Sequence, residues 1–113
     1  MWRDDAYLLD MLLAARDIRR HTKGVDWQRF LGDEILQNAI MHLIQIIGEA
    51  ARNVPDDFAA AHPEVPWARI AGLRNRIVHD YFGLDLEIIW QILQVDLPQL
   101  KSQLPRCAVS SSP

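Results

Sequence analysis

"RNRIVHDY", residues 74–81, gathers Arg74, Asn75, Arg76, His79, Asp80 and Tyr81 around the apolar pair Ile77 and Val78. Whether this stretch is helical, and which of its residues face a core, decides fold and function together. Pro66 suits a first helical turn, where its missing N–H has no partner to lose, and Gly83 breaks the pattern downstream. The expected helix therefore runs from Trp67 to about Tyr81. With Ile70 as origin, Leu73, Ile77 and Tyr81 fall within about 60° of it and define a core face. Arg74 falls at about 40°, inside that apolar sector. A guanidinium there is costly unless it is paired, opens onto a cleft or subunit interface, or snorkels past the core edge to water. His79 lies at about 180°, with Asn75 and Gly72 beside it. Gly72 costs roughly 1 kcal/mol in a helix relative to Ala, so its presence points to close approach of another backbone or a ligand.

Upstream, Tyr7, Leu8, Met11, Leu12, Ala15 and Ile18 recur at three and four, the spacing of one helix face, and predict a helix from Asp4 to about Arg20. Gly24 is the expected stop. Asp26 is the expected cap of a long helix through roughly Arg52, with Ile35, Leu36, Ala39, Ile40, Leu43, Ile46, Ile47 and Ala50 on a broad apolar surface. The same helix carries a polar stripe, Asn38, His42, Gln45, Glu49 and Arg52, which is either a solvated face or a source of partners for the motif. Glu49 paired with Arg74 would offset burial of that charge. Pro55 ends the helix, and "PDDFAAAHPEVP" reads as a connector holding at most a short helix. Beyond Gly83, Asp85 is the expected cap of a last helix with Leu86, Trp90, Leu93, Leu97, Leu100 and Leu104 inward, kinked or split by Pro98. No strand alternation, hairpin turn or repeat is present in the sequence. The expected fold class is all-α, a four-to-five-helix bundle over residues 1–104, with a disordered tail at 105–113.

The chain has 113 residues, enough for one domain with a single core. Half of its residues are apolar and 24% charged, and no apolar run approaches bilayer length, so a membrane protein is not expected. The N-terminus lacks the uninterrupted apolar stretch of a secretory signal, and the lone Cys107 suits a reducing, cytoplasmic setting. Twelve basic against fifteen acidic residues leave a net charge of −3, so contact with a polyanion must come from a local basic patch. His21, His42, His62 and His79 are far apart and show no metal-ligand spacing; phosphate-loop and Ser-nucleophile motifs are absent too. No metal and no cofactor is expected.

"GLRNRIVHDYFGLD", preceded by "IIGEAARNVP" and "PWARI" and followed by Trp90, resembles the HepT-like branch of the HEPN superfamily. Its signature is an Arg, four to six variable residues and a His, extended in the HepT form by a Tyr two positions on. Arg74, His79 and Tyr81 match the longer form, and the resemblance spans about residues 4–104. It implies an all-helical homodimer whose metal-independent ribonuclease site forms where two motif helices meet. It also implies a toxin whose antitoxin, a minimal nucleotidyltransferase of the MntA type, adds AMP to the residue at Tyr81. Arg74 and His79 lie about 140° apart on a straight helix, so they converge poorly within one copy, and a two-fold dimer would bring a second set into the same cleft.

Metal-free RNA cleavage uses the adjacent 2′-hydroxyl as nucleophile, and it needs a proton acceptor near neutrality and a cation for the charge on phosphorus. His79 suits the first task and Arg74, a planar donor fork, the second. Asn75 would orient phosphate or ribose, and Arg76 would draw the substrate in. The alternative is a noncatalytic helical dimer that binds a nucleotidyltransferase through the same face, or a structural dimer in which Arg74 and His79 only satisfy their surroundings.

Overall fold

The structure, a computed structural model, describes residues 2–77, 85–100 and 102–103, the side chains of residues 2–5, 74 and 77 excepted. The expected all-α class holds. In chain order the helices are α1 (Trp2–Thr22), α2 (Trp27–Leu31), α3 (Glu34–Arg52), α4 (Asp56–Ala61), α5 (Trp67–Ala71), α6 (Leu73–Ile77) and α7 (Leu86–Gln91). A π-helical segment, Ile92–Asp96, continues α7, and residues 97–100 are α-helical again. None of these helices is long and apolar enough to cross a membrane.

The core forms where α1 lies along α3. Leu8, Met11, Ala14, Ala15 and Ile18 pack with Ile40, Met41, Ile44, Ile47 and Ala51, all buried. Gly24 closes α1 in the left-handed region at φ 74°, where a side chain would be strained. Asp26 caps α2 by accepting from the Arg29 N–H at 2.9 Å, as the sequence predicts. The long helix expected from Asp26 to Arg52 is nevertheless two helices. Gly32 interrupts it, and Asp33 starts α3 afresh by accepting from the Leu36 N–H at 2.9 Å. Gln37 Nε2 seals the corner, donating to Phe30 O at 2.8 Å and Leu31 O at 3.2 Å. Ile35, expected on the apolar surface, is 83% exposed, because it lies off the Leu36–Ile40–Ile44–Ile47 line that meets α1.

The last helix also differs from its expected face. Among its described residues the most deeply buried are Ile89 and Ile92, followed by Leu97 and Leu100, whereas Leu86, Trp90 and Leu93 are only half-buried; Leu104 lies outside the described residues. The step from Ile92 to Leu97 is five residues, which a π turn accommodates: the Leu97 N–H bonds Ile92 O. The disturbance expected at Pro98 is thus absorbed in the turn before it, where the ring needs space and a carbonyl loses its usual donor. Half-buried Trp90 packs at a tilt against Trp27 and Phe30, ring centroids 5.7 and 5.4 Å away, which ties α7 to α2.

At Gly48, α3 and α5 cross in close backbone contact. Gly48 is buried on α3, and a Cβ built there would lie 3.3 Å from Ile70 O and 3.4 Å from Ala71 O. Both neighbours are backbone, which has little freedom to retreat. Gly72, by contrast, has φ −92°, and its nearest contacts for a Cβ are Ala68 O at 3.4 Å and Arg69 O at 3.8 Å, in the turn just before it. Gly48→Val is therefore expected to destabilise by about 1–3 kcal/mol, the usual range for overpacking, while Gly72→Ala should stay within about 0.5 kcal/mol of the parent. Urea unfolding of the two variants checks this contrast.

Candidate functional site

The helix expected over Trp67–Tyr81 is broken within its described part. Gly72 ends α5, its N–H bonding Ala68 O at 3.1 Å, and its own carbonyl accepts from the N–H groups of Asn75 at 3.1 Å and Arg76 at 3.3 Å to start α6. The close approach expected at Gly72 occurs instead at Gly48; Gly72 permits the break through its low helix propensity. Leu73 is 1% exposed and Ile70 5%, so both keep the core face predicted for them. Arg74 lies in α6, but its side chain is outside the described residues, as are His79, Asp80 and Tyr81 entirely.

Arg76, expected to draw in the substrate, is partly exposed and ion-paired. Its Nη1 lies 3.4 Å from Asp96 Oδ2, while Arg69 binds the other oxygen, Oδ1, through Nη2 at 2.9 Å and Nε at 3.1 Å. Only 12% of the Asp96 side chain is exposed, so this carboxylate is largely removed from water and both arginines compensate it. The three residues bridge α5, α6 and the end of the π-helical segment, holding α6 from both sides of the Gly72 break. The sequence reading missed Asp96 and Arg69. The available signal was an acidic residue set between two apolar ones, Val95 and Leu97, two positions before Pro98.

On the other side of α6, the polar stripe of α3 and the α5–α6 junction enclose a groove of about 400 Å³, lined by His42, Gln45, Ile46, Gly48, Glu49, Arg52, Ala71 and Asn75. Glu49 is exposed, and its partner among the described residues is Arg52, one turn on, at 3.4 Å. Arg52 also donates to Ala71 O at 3.4 Å, linking the stripe to the end of α5. Asn75 is exposed on α6. The stripe is thus partly the floor of a groove, not only a solvated face. Of the expected site residues, the structure brings Glu49 and Asn75 to one groove, leaves Gly72 at the junction above it, and commits Arg76 to Asp96. Among the described residues, no group of three or more His, Cys, Asp or Glu side chains gathers that could hold a metal ion.

Asp96→Ala is expected to lower unfolding stability by about 1–3 kcal/mol, the scale for hydrogen bonds to a charged group. Arg69→Ala should cost less, since Asp96 keeps Arg76. Adding Arg69→Ala to Asp96→Ala should then cost almost nothing more, and a double-mutant cycle from denaturant melts measures that.

Residues 11–107 match the family model described as Ribonuclease HepT-like. The chain is 37% identical over 99 residues to a protein of Methanocaldococcus jannaschii named "Putative RNase MJ1380", covering 88% of this chain and 91% of that one. It is 37% identical over 100 residues to the "Probable ribonuclease HepT" of Thermococcus cleftensis, with 88% and 91% covered. A third relative, "Putative RNase TTE0752" of Caldanaerobacter subterraneus, is 36% identical over 98 residues, with 87% and 88% covered. No solved structure matches at a significant level. The matched span takes in the core helices α3, α5 and α6, the groove, the Asp96 clamp and the whole Arg74–Tyr81 motif, and on that extent the chain belongs to the HepT-like ribonuclease family.

Proposed function

We propose that this protein is a metal-independent endoribonuclease and the toxin of a type II toxin–antitoxin pair. The observation that carries the reading is the family match over residues 11–107, which spans Arg74, His79 and Tyr81, with relatives whose names describe ribonucleases. In the proposed reaction the 2′-oxygen attacks the adjacent phosphorus and the bond to the 5′-oxygen breaks. Products are a 2′,3′-cyclic phosphate and a 5′-hydroxyl end. His79 takes the proton from the 2′-hydroxyl or delivers one to the leaving oxygen, and Arg74 stabilises the charge that builds on the phosphoryl oxygens. Asn75, exposed next to Arg74 on α6, orients the phosphate or the ribose. Two-fold pairing of the chain supplies a second Arg74 and His79 to the same cleft, and the Asp96 clamp supports the reading by fixing the helix that carries Arg74.

The cognate antitoxin in this reading is a minimal nucleotidyltransferase of the MntA type, which transfers AMP from ATP to the Tyr81 hydroxyl and releases pyrophosphate. The new phosphodiester is an anion with a bulky base attached, and beside a phosphate pocket it repels RNA. Mass spectrometry after incubation with that enzyme and ATP should show AMP additions that are absent in Tyr81→Phe. Additions retained by the Phe variant would place the acceptor elsewhere.

The decisive test is cleavage by the purified protein. His79→Ala should lose roughly 10²-fold or more of the activity, with dimerisation by light scattering and helicity by circular dichroism unchanged. Arg74→Lys should fail as well, because it keeps the charge but loses the two parallel donors. An intact dimer that cuts RNA equally well as His79→Ala would leave the noncatalytic partner-binding module as the better account.

A further inference from the structure

We propose that the groove between α3 and the α5–α6 junction is a nucleobase subsite, holding a base of the RNA strand beside the phosphate that Arg74 addresses. The proposal rests on the ribonuclease reading above and names how that site takes hold of its substrate. At about 400 Å³, the groove lies within the range of small-ligand sites. The described lining is poorly suited to a phosphate. Among the described side chains that line it, Arg52 is the one arginine, and that guanidinium is already shared between Glu49 at 3.4 Å and Ala71 O at 3.4 Å. The Glu49 carboxylate disfavours a second anion, so the favoured occupant is uncharged, polar and flat.

The remaining lining supplies what such a group needs. Gln45 on α3 and Asn75 on α6 both line the groove, and neither side chain has a hydrogen-bond partner among the described residues. The Gln45 carboxamide offers one acceptor oxygen and an NH2 with two donors, the complement of a base edge, and Asn75 offers the same groups to the adjoining ribose. His42, also without a partner among the described residues, supplies an aromatic ring, and Ile46 and Ala71 supply apolar surface, for a base turned out of a single strand. Position completes the argument. Asn75 directly follows Arg74 in α6, so the groove begins one residue from the backbone of the motif arginine. Gly48 keeps the groove narrow, since any larger residue would push the Ala71 wall away from the α3 floor.

Two measurements test this on the full-length protein. In the first, a mixed-sequence 2′-O-methyl RNA oligonucleotide, which cannot be cut by 2′-hydroxyl attack, is titrated into isotope-labelled protein while the Gln45 and Asn75 side-chain amide signals and the His42 ring signals are followed. Saturable shifts at these groups, with binding weakened roughly tenfold in Gln45→Leu, are expected. In the second, cut sites are sequenced for the parent, Gln45→Leu and His42→Ala. A changed base preference at one fixed position beside the cut, with raised KM and little change in kcat, is expected. His42 is exposed, so that variant remains informative if Gln45→Leu fails to fold. Unchanged cut sites and KM in both variants, or oligonucleotide shifts confined to other residues, would overturn the subsite while leaving the ribonuclease reading in place. If the parent cuts no RNA, that reading falls, and the titration alone judges the groove. Shifts at these groups caused by a purified nucleotidyltransferase but not by the oligonucleotide would also overturn the proposal.

Discussion

The approach of α5 to α3 at Gly48 is the constraint on which the rest of the structure depends. A helix crossing this close needs a position without a Cβ, because the opposing atoms are the carbonyls of Ile70 and Ala71 and cannot rotate away as a side chain would. Once α5 is seated, the Gly72 break and α6 follow within two residues. The motif helix is thereby set at a fixed depth beside the polar stripe of α3. That polar side remains open because only part of α3 faces α1 and the core.

A second constraint acts from the opposite flank. The π turn at Ile92–Asp96 lets Ile92 and Leu97 both reach the core although they are five residues apart, and it leaves Asp96 against Arg69 and Arg76. A carboxylate so far out of water is tolerated because three donor nitrogens surround it, and the same donors make its placement specific. One local irregularity therefore serves packing and electrostatics together. The short α6 is held by a core leucine, Leu73, and by an ion-paired arginine, Arg76, leaving Asn75 exposed between them.

The charges near the motif are divided among pairs. Arg69 and Arg76 share the single carboxylate of Asp96, and Arg52 is paired with Glu49. The cationic role in the proposed reaction then falls on Arg74, whose position in α6 the surrounding pairs secure. In family terms the chain is a HepT-like ribonuclease domain, and its groove adds neutral hydrogen-bonding capacity next to the motif.

By itself the sequence determined the all-α class, the stops at Gly24 and Pro55, the caps at Asp26 and Asp85 and the motif that identifies the family, because each of these is local. Periodicity needs only the residues of one helix, a cap only the next turn, and a signature only its own spacing. Tertiary structure alone decided the rest. Gly32 and Asp33 divide the second helix because the chain must turn for α1 to lie along α3, which no single-helix pattern records. The glycine that matters for packing is Gly48, although Gly72 has the same composition signal; only the partner backbone tells them apart. Only the fold shows that Arg76 also has a partner within the chain, Asp96, twenty residues on and 3.4 Å away. The inward face of the last helix was misplaced because a wheel assumes one angle per residue, and the π turn adds a residue that the core, not the local sequence, requires.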